Sequence, residues 1–235
     1  MKVFEIKKIV KEGKNVKTFV FNGSLNAKPG QFVMAWLPRI NEKPFAVSFQ
    51  NKDKFAITVM KRGEFTKSMF KLKVNDKVGI RGPFGTSFSS NEKMILIGGG
   101  YGVAPLAFLA ENSKASEIEF LIGGKSKENL LFLNRLENIK LFPATEDGSF
   151  GAKGLVTDWL EDLITKNKKV YACGPEEMLK KVLEICKNKC EVEVSLESRI
   201  RCGIGICGDC CLNEIRVCKD GPVVNGEVAR RLLCC

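Results

Sequence analysis

Between residues 3 and 89, apolar and polar positions alternate in short runs, the period of strands with one buried face. Six such runs, at 3–11, 15–21, 31–37, 46–50, 55–61 and 77–82, are separated by turn signals at Gly13, Asn22-Gly23, Pro29-Gly30, Asn51-Lys52-Asp53 and Asn75-Asp76. This spacing predicts a closed antiparallel β-barrel. One interruption has a different period. Phe65, Met69 and Leu72 stand at i, i+4 and i+7 and make one apolar face of a helix over 64–72, just after Gly63 and with Thr66 in its first turn. Such a start offers N–H groups and a hydroxyl to a phosphate, although a plain helix start reads the same way.

After residue 90, strand-like runs at 94–97, 117–123, 139–144 and 169–172 alternate with helical periodicity at 106–111, 154–164 and 175–187. Interleaving of this kind implies a mostly parallel α/β sheet that binds ligands at the carboxyl ends of its strands. Three of those ends are distinctive: Gly98-Gly99-Gly100 with Gly102 beyond it, Gly123-Gly124, and Cys173-Gly174-Pro175-Glu176. A glycine-rich turn lays a pyrophosphate on helix N–H groups, and it also serves close strand–helix packing. The polar loop 144–154 precedes the helix expected at 154–164. The resulting division is a barrel at 1–89, an α/β nucleotide-binding domain at 90–193 and a small module at 194–235.

Composition narrows the function classes. An apolar fraction of 44% suits a globular chain, and no apolar run reaches membrane-spanning length. The first residues enter strand-like sequence directly, so a cytoplasmic protein with no membrane partner is expected. The formal net charge of +11 is spread over scattered lysines without aromatic interleaving, which reads as a solvated basic surface and not as a nucleic-acid site. The chain has no histidine, which excludes a Rieske centre, His-ligated zinc and His-based catalysis.

The ten cysteines carry the chemistry. Cys202, Cys207 and Cys210 follow the C-x4-C-x2-C spacing of plant-type ferredoxins, and Cys218 supplies a fourth thiol for a [2Fe–2S] cluster. Gly203, Gly205 and Gly208 lie between the ligands, where the loop must wrap closely. A hairpin turning near Asn213-Glu214 would bring residue 218 opposite residues 209–210. A zinc ribbon repeats its C-x2-C pair, and this run has only one. Disulfides need an oxidising compartment. Cys211 points away from the ligand beside it, and Cys186 and Cys190 read as packing residues near a helix end. Cys234 and Cys235 close the chain without an assigned role, and Arg199 and Arg201 flank the first ligand.

Taken in order, these pieces resemble the ferredoxin reductase-like superfamily and, within it, the electron-transfer subunits of NAD-dependent dihydroorotate dehydrogenases. The resemblance rests on Lys43-Pro44-Phe45-Ala46-Val47-Ser48, where the superfamily has R-P-x-S, and on Gly82-Pro83-Phe84-Gly85. It continues through GGGYGVAP at 98–105, ATEDGSFGAKG at 144–154, YACGPEEML at 171–179 and the cysteine run, so it covers nearly the whole chain. It implies FAD bound by Lys43, Pro44, Phe45, Ala46 and Ser48, and by Val59, Met60, Lys61, Gly63, Phe65 and Thr66. Lys43 keeps the charge of the family arginine without its fork, Ala46 stands at the family serine, and Ser48 is expected to face the same way. NAD is implied at Gly98, Gly99, Gly100, Gly102, Gly123, Cys173, Gly174, Pro175 and Glu176, and the cluster at Cys202, Cys207, Cys210 and Cys218. Lys125 and Lys127 leave NADP open.

The resemblance also implies a partner, an FMN-containing dihydroorotate dehydrogenase catalytic subunit, in a heterotetramer of two copies of each chain. Electrons would pass from dihydroorotate through the cluster to FAD and then to NAD+, in pyrimidine biosynthesis. Leu212, Ile215, Val217, Leu232 and Leu233 are the apolar residues expected to meet that partner. Subunits of NAD(P)H-dependent ferredoxin transhydrogenases and of cytoplasmic hydrogenases share the same parts and form the alternative. A zinc-containing basic nucleic-acid-binding module is the alternative of another class.

Overall fold

The computed structural model describes residues 1–234, so Cys235 lies outside the described residues. The alternating first third closes into a barrel of β1 (Lys2–Gly13), β2 (Val16–Asn22), β3 (Phe32–Leu37), β4 (Asn41–Gln50), β5 (Lys54–Met60) and β6 (Lys77–Phe84). Their order is β1-β2-β5-β4-β3-β6, with antiparallel neighbours throughout. Every second side chain points inward: Phe19 and Phe21, Val33 and Ala35, and Phe55, Ile57 and Val59 are buried. The interior is filled by side chains, so a ligand must lie outside it. Helix α1 (Glu64–Met69) buries Phe65 and Met69 against the barrel, while Leu72 packs there from beyond the helix end.

The second sheet has the order β10-β9-β8-β7-β11-β12-β15. Its strands are β7 (Lys93–Gly99), β8 (Glu117–Gly124), β9 (Lys140–Thr145), β10 (Ala152–Lys153), β11 (Lys169–Cys173), β12 (Val192–Ser195) and β15 (Val223–Asn225). All pairings are parallel except that of β15 with β12. Helices α2 (Val103–Asn112) and α3 (Glu176–Ile185) cover it. The cysteine run contributes a short hairpin of β13 (Cys211–Leu212) and β14 (Ile215–Arg216), then one turn of helix, α4 (Val217–Asp220). Strand β15 and helix α5 (Gly226–Leu233) follow, and Arg230 on α5 donates to the Leu183 carbonyl of α3 at 3.3 Å. The sheet therefore extends across the boundary expected at residue 193. Among the described residues, no helix is long and apolar enough to cross a membrane.

One expected helix is absent. Residues 154–164 form two 3-10 turns, Val156–Trp159 and Glu161–Leu163, in place of an α-helix. The Asp158 carboxylate takes the Leu155 N–H at 2.9 Å, and β-branched Val156 must sit in the notch left by Gly123. Local side-chain bonding and a poor run of helix formers outweigh the apolar period.

The barrel, the sheet and the cysteine module meet at one junction. The Thr86 N–H donates to Gly221 O at 2.7 Å, and the Thr86 hydroxyl donates to Val223 O at 2.7 Å and accepts the Val223 N–H at 3.0 Å. Gln31 donates to Gly85 O at 2.8 Å, and the Leu196 N–H donates to Pro222 O at 2.8 Å. A Cβ on Gly85 would lie 2.6 Å from Gly221 O, at a φ of +77° that disfavours other residues. Gly85→Ala is therefore expected to cost about 2 kcal/mol or more, read as a lower urea midpoint, with Thr86→Ser changing it far less. An unchanged midpoint for Gly85→Ala would show that the junction is not tight.

Candidate functional site

A cleft of about 680 Å³ opens where barrel, sheet and cysteine module converge. The barrel side is formed by Lys43, Pro44, Phe45 and Ala46 of β4, Met60 at the end of β5, and Gly63, Phe65 and Thr66 around the start of α1. The sheet side brings Gly102 and Cys173 from two strand ends. Residues outside the expected set also line the cleft, among them Arg62, Tyr101, Leu196, Glu197 and Ile200. Tyr101 lies inside the glycine-rich run and was within reach of sequence reasoning. Glu197 follows β12 at a carboxyl strand end, a signal hidden because β12 itself was not read from the sequence.

Other expected residues sit elsewhere. Ser48 is buried beside a bulge between Val47 and Phe49, where its hydroxyl accepts from Thr58 at 2.9 Å and its carbonyl from Arg135 at 2.8 Å. Val59 is buried inside the barrel, and Lys61 places its ammonium 5.9 Å from the Phe70 ring centroid. The strand-end glycines mostly serve close approach. A Cβ would meet Val103 at 2.8 Å from Gly98, Met178 at 2.8 Å from Gly99, and Cys173 O at 2.3 Å from Gly102. It would meet Val156 at 2.7 Å from Gly123 and Met178 at 2.7 Å from Gly174. Pro175 closes on Gly99 and Glu176 begins α3, where it pairs with Lys180 at 2.7 Å. Only Gly63 and Gly100 of the expected set face open space.

Two cleft residues have a defined electrostatic state. The Tyr101 hydroxyl donates to Glu197 at 3.0 Å, and burial followed by the Glu197 charge pushes its pKa up to about 12. Burial raises the Cys173 thiol to about 12 as well, so it is a neutral S–H donor near the cleft. The Thr66 hydroxyl accepts the Arg62 and Gly63 N–H groups at 2.8 and 3.1 Å and shapes the turn into α1. Apolar walls, the cations Lys43 and Arg62, and an open Gly63 edge suit a flat, anionic dinucleotide.

Two residues past Ile200, the chain enters the cysteine loop. Gly203, Gly205 and Gly208 hold φ of 75°, 77° and 77°, which turns backbone N–H groups toward sulfur. The N–H groups of Ile204 and Ile206 donate to Cys202 Sγ at 3.4 Å, Gly205 donates to Cys218 Sγ at 3.1 Å, and Cys218 donates to Cys210 Sγ at 3.4 Å. The hairpin pairs Cys211 with Arg216 around a turn at Asn213, the Val217 N–H donates to Cys210 O at 3.1 Å, and Cys218 follows within the single turn of α4. The thiols hydrogen-bond in two pairs, Cys202 with Cys207 and Cys210 with Cys218. Among the described residues, no three such groups converge on a single ion. Two cysteine pairs with N–H donors on sulfur suit a cysteine-ligated iron–sulfur cluster.

Burial opposes ionisation of Cys202, but N–H groups of Cys207, Ile204 and Ile206 outweigh it and bring its pKa down to about 6. Burial and then Cys210 raise Cys218 to about 12, so metal entry must displace a proton from that pair. Arg81 anchors the loop to the barrel, donating to Cys202 O at 3.0 Å while a bidentate pair with Glu42 at 2.8 and 2.7 Å fixes its guanidinium.

Barrel, parallel sheet, interdomain cleft and cysteine loop together define an oxidoreductase of the ferredoxin reductase-like class with an iron–sulfur module. Residues 197–228 match the iron-sulfur cluster binding domain of dihydroorotate dehydrogenase B, and residues 96–184 match the oxidoreductase NAD-binding domain. The chain is 43% identical over 234 residues to a Methanocaldococcus jannaschii protein named "Probable dihydroorotate dehydrogenase B (NAD(+)), electron transfer subunit", covering 96% of this chain and 90% of that one. A Pyrococcus abyssi protein of the same name is 46% identical over 225 residues, covering 94% and 89%. The chain belongs to this family of electron transfer subunits. Among solved structures, an NADH-dependent reduced ferredoxin-NADP oxidoreductase superposes with a TM-score of 0.87 at 28% identity, covering 100% of this chain and 92% of that one. Phthalate dioxygenase reductase shares the fold, with a TM-score of 0.66 at 15% identity, over 84% and 69%.

The tyrosine pair in the cleft gives a pH test. Near pH 10, where a free tyrosine is half ionised, Tyr101 should stay protonated in an ultraviolet titration. Removing the Glu197 charge lowers the cost of the phenolate, so Glu197→Gln should move one transition to lower pH. No movement would separate the two side chains.

Proposed function

We propose that this chain passes electrons between a [2Fe–2S] cluster and FAD and delivers them to NAD+, drawing them from the FMN of a dihydroorotate dehydrogenase catalytic subunit. The assembly would hold two copies of each chain, in the cytoplasm. One observation carries the reading: Leu196, Glu197 and Ile200 line the cleft, and the same strand of chain reaches Cys202 two residues later. Cleft and cysteine loop are parts of one short segment. A flavin bound there exchanges single electrons with a cluster and a hydride with a nicotinamide, which joins the two kinds of transfer.

The chain's own residues divide the work. Cys202, Cys207, Cys210 and Cys218 would hold the cluster, and exposed Cys211 is left out of it. Lys43, Pro44, Phe45, Ala46, Met60, Gly63, Phe65 and Thr66 would hold the flavin along the barrel. Gly98 to Gly102, Gly123 and the Cys173–Glu176 turn would present the nicotinamide from the sheet side, with the neutral Cys173 thiol as a donor. No step here requires a side chain to take a proton from a ring carbon, so dihydroorotate oxidation is left to the partner.

The partner face differs from the sequence expectation. Val217 is buried, and Leu212, Ile215, Leu232 and Leu233 pack against the core. Among the described residues of the cysteine module, the exposed large apolar side chains are Ile206 and Ile204, at 79% and 48% exposure, on the loop between Cys202 and Cys207. They would form an apolar tip on the loop that holds the first two cysteines, and we take them as the better docking residues. A second reading, a subunit of a ferredoxin transhydrogenase, draws on the solved structure that matches the whole chain.

Purified without air, the protein should carry about one FAD and about two irons per chain. Cys218→Ser should lose the iron and Cys211→Ser should keep it; stoichiometric zinc without iron would contradict the cluster. Co-expressed with an FMN-containing dihydroorotate dehydrogenase subunit, the chain should co-elute and support NAD+ reduction by dihydroorotate. Ile206→Glu should break that complex while leaving the visible spectrum intact. Separate elution of the wild-type chains would rule this partner out and favour the transhydrogenase reading.

A further inference from the structure

Two thiols outside the cysteine loop meet at the C-terminal end of α3. Cys186 caps that helix, and the chain turns back over residues 186–190 before entering β12. The Lys189 and Cys190 N–H groups both donate to Cys186 O, at 3.1 and 3.3 Å, and Asn188 takes a φ of 59° to make the turn. A hydrogen bond from residue i+4 back to residue i sets the two Cα atoms roughly 6 Å apart, within the span of a disulfide. The two thiols share a hydrogen bond. Cys186 is fully buried in the core and Cys190 is half-buried, so the pair has one hidden and one accessible sulfur.

The surroundings favour a thiolate on the accessible side. The hydrogen bond from Cys186 holds Cys190 below the usual thiol range, against its burial, and Arg230 and Lys189 add positive charge. The same hydrogen bond, followed by burial, pushes Cys186 up. Core packing accounts for Cys186, and Cys190 packs only in part against the same core. That packing does not account for a second, half-exposed thiol aimed at the first across a closed turn.

We propose that Cys186 and Cys190 form a thiol–disulfide site that is oxidised by small disulfides of the glutathione class. The Cys190 thiolate attacks one sulfur of the small disulfide, whose S–S bond breaks and releases one small thiolate. The Cys186 sulfur then displaces the second small thiolate from the mixed disulfide. Its proton, with the one Cys190 gave up on ionising, ends on the two small thiols. Two protein thiols lose two electrons and two protons, and one small disulfide becomes two thiols. The product ties the end of α3 to the entry of β12. The carboxyl end of β12, at Ser195, lines the cleft, and α3 begins at Glu176, three residues past the cleft residue Cys173, so the bond would brace the sheet side of the cleft.

The test treats the cofactor-loaded protein, without air, with oxidised glutathione, followed by non-reducing tryptic digestion and mass spectrometry. Tryptic segments 182–187 and 190–199 should appear joined by a disulfide that dithiothreitol reverses. Cys186→Ser should trap a glutathione adduct on Cys190, and Cys190→Ser should leave Cys186 unmodified. Oxidation should raise the melting temperature of the wild type by roughly 4 °C and of neither variant. A stable glutathione adduct on wild-type Cys190 with no joined segments would overturn the proposal, as would no modification at either position. The wild-type digest decides even if a variant folds poorly.

Discussion

The three hydrogen bonds between Thr86 and the Gly221–Val223 segment are where barrel, sheet and cysteine module become one body. Each module contributes one part of the site, so the distance from cleft to cysteine loop depends on this junction. Glycine makes the contact possible. A Cβ on Gly30 would stand 2.6 Å from Val223, and one on Gly85 would stand 2.6 Å from Gly221 O. Arg81 adds a second tie between barrel and loop through the Cys202 carbonyl. One-electron transfer is steeply sensitive to separation, and two ties at opposite ends of the cysteine module leave that separation little freedom. Strand β15 completes the arrangement by pairing with β12, which leads directly into the cleft segment.

The fold was legible where burial has a simple period. Phe19 and Phe21, or Phe55, Ile57 and Val59, repeat every second residue because one face of each strand must be buried, and the barrel follows from six such runs. Residues 154–164 show the limit: their apolar spacing is helical, yet the Asp158 carboxylate and the fit of Val156 against Gly123 hold them in 3-10 turns. Strands β12 and β15, only four and three residues long, are too short to show a period. Their pairing is a tertiary fact. Losing them hid Leu196 and Glu197 from the candidate site.

The cysteine loop was more legible than the cleft because its chemistry is written in consecutive residues. Spacing, glycines and the Asn213 turn all act within the stretch from Cys202 to Cys218, and the structure brings those four thiols into two pairs. The cleft is assembled from three modules, so some motif residues line it while others serve the packing around it. Ser48 illustrates this: strict alternation points it toward Ala46's face, but the bulge after Val47 turns it into the interior. The strand-end glycines do so too, since most of them are required by neighbouring atoms before any ligand arrives.

The account stands on electron passage between cleft and cysteine loop inside a single chain. The most direct measurement is low-temperature electron paramagnetic resonance of the isolated, cofactor-loaded chain, frozen shortly after mixing with NADH in the absence of air. A reduced [2Fe–2S] signal should appear in the wild type with no partner present, and should be missing in Cys218→Ser although NADH still bleaches its flavin. Flavin bleaching with no cluster signal in the wild type, in a sample where dithionite brings that signal up, would contradict the account.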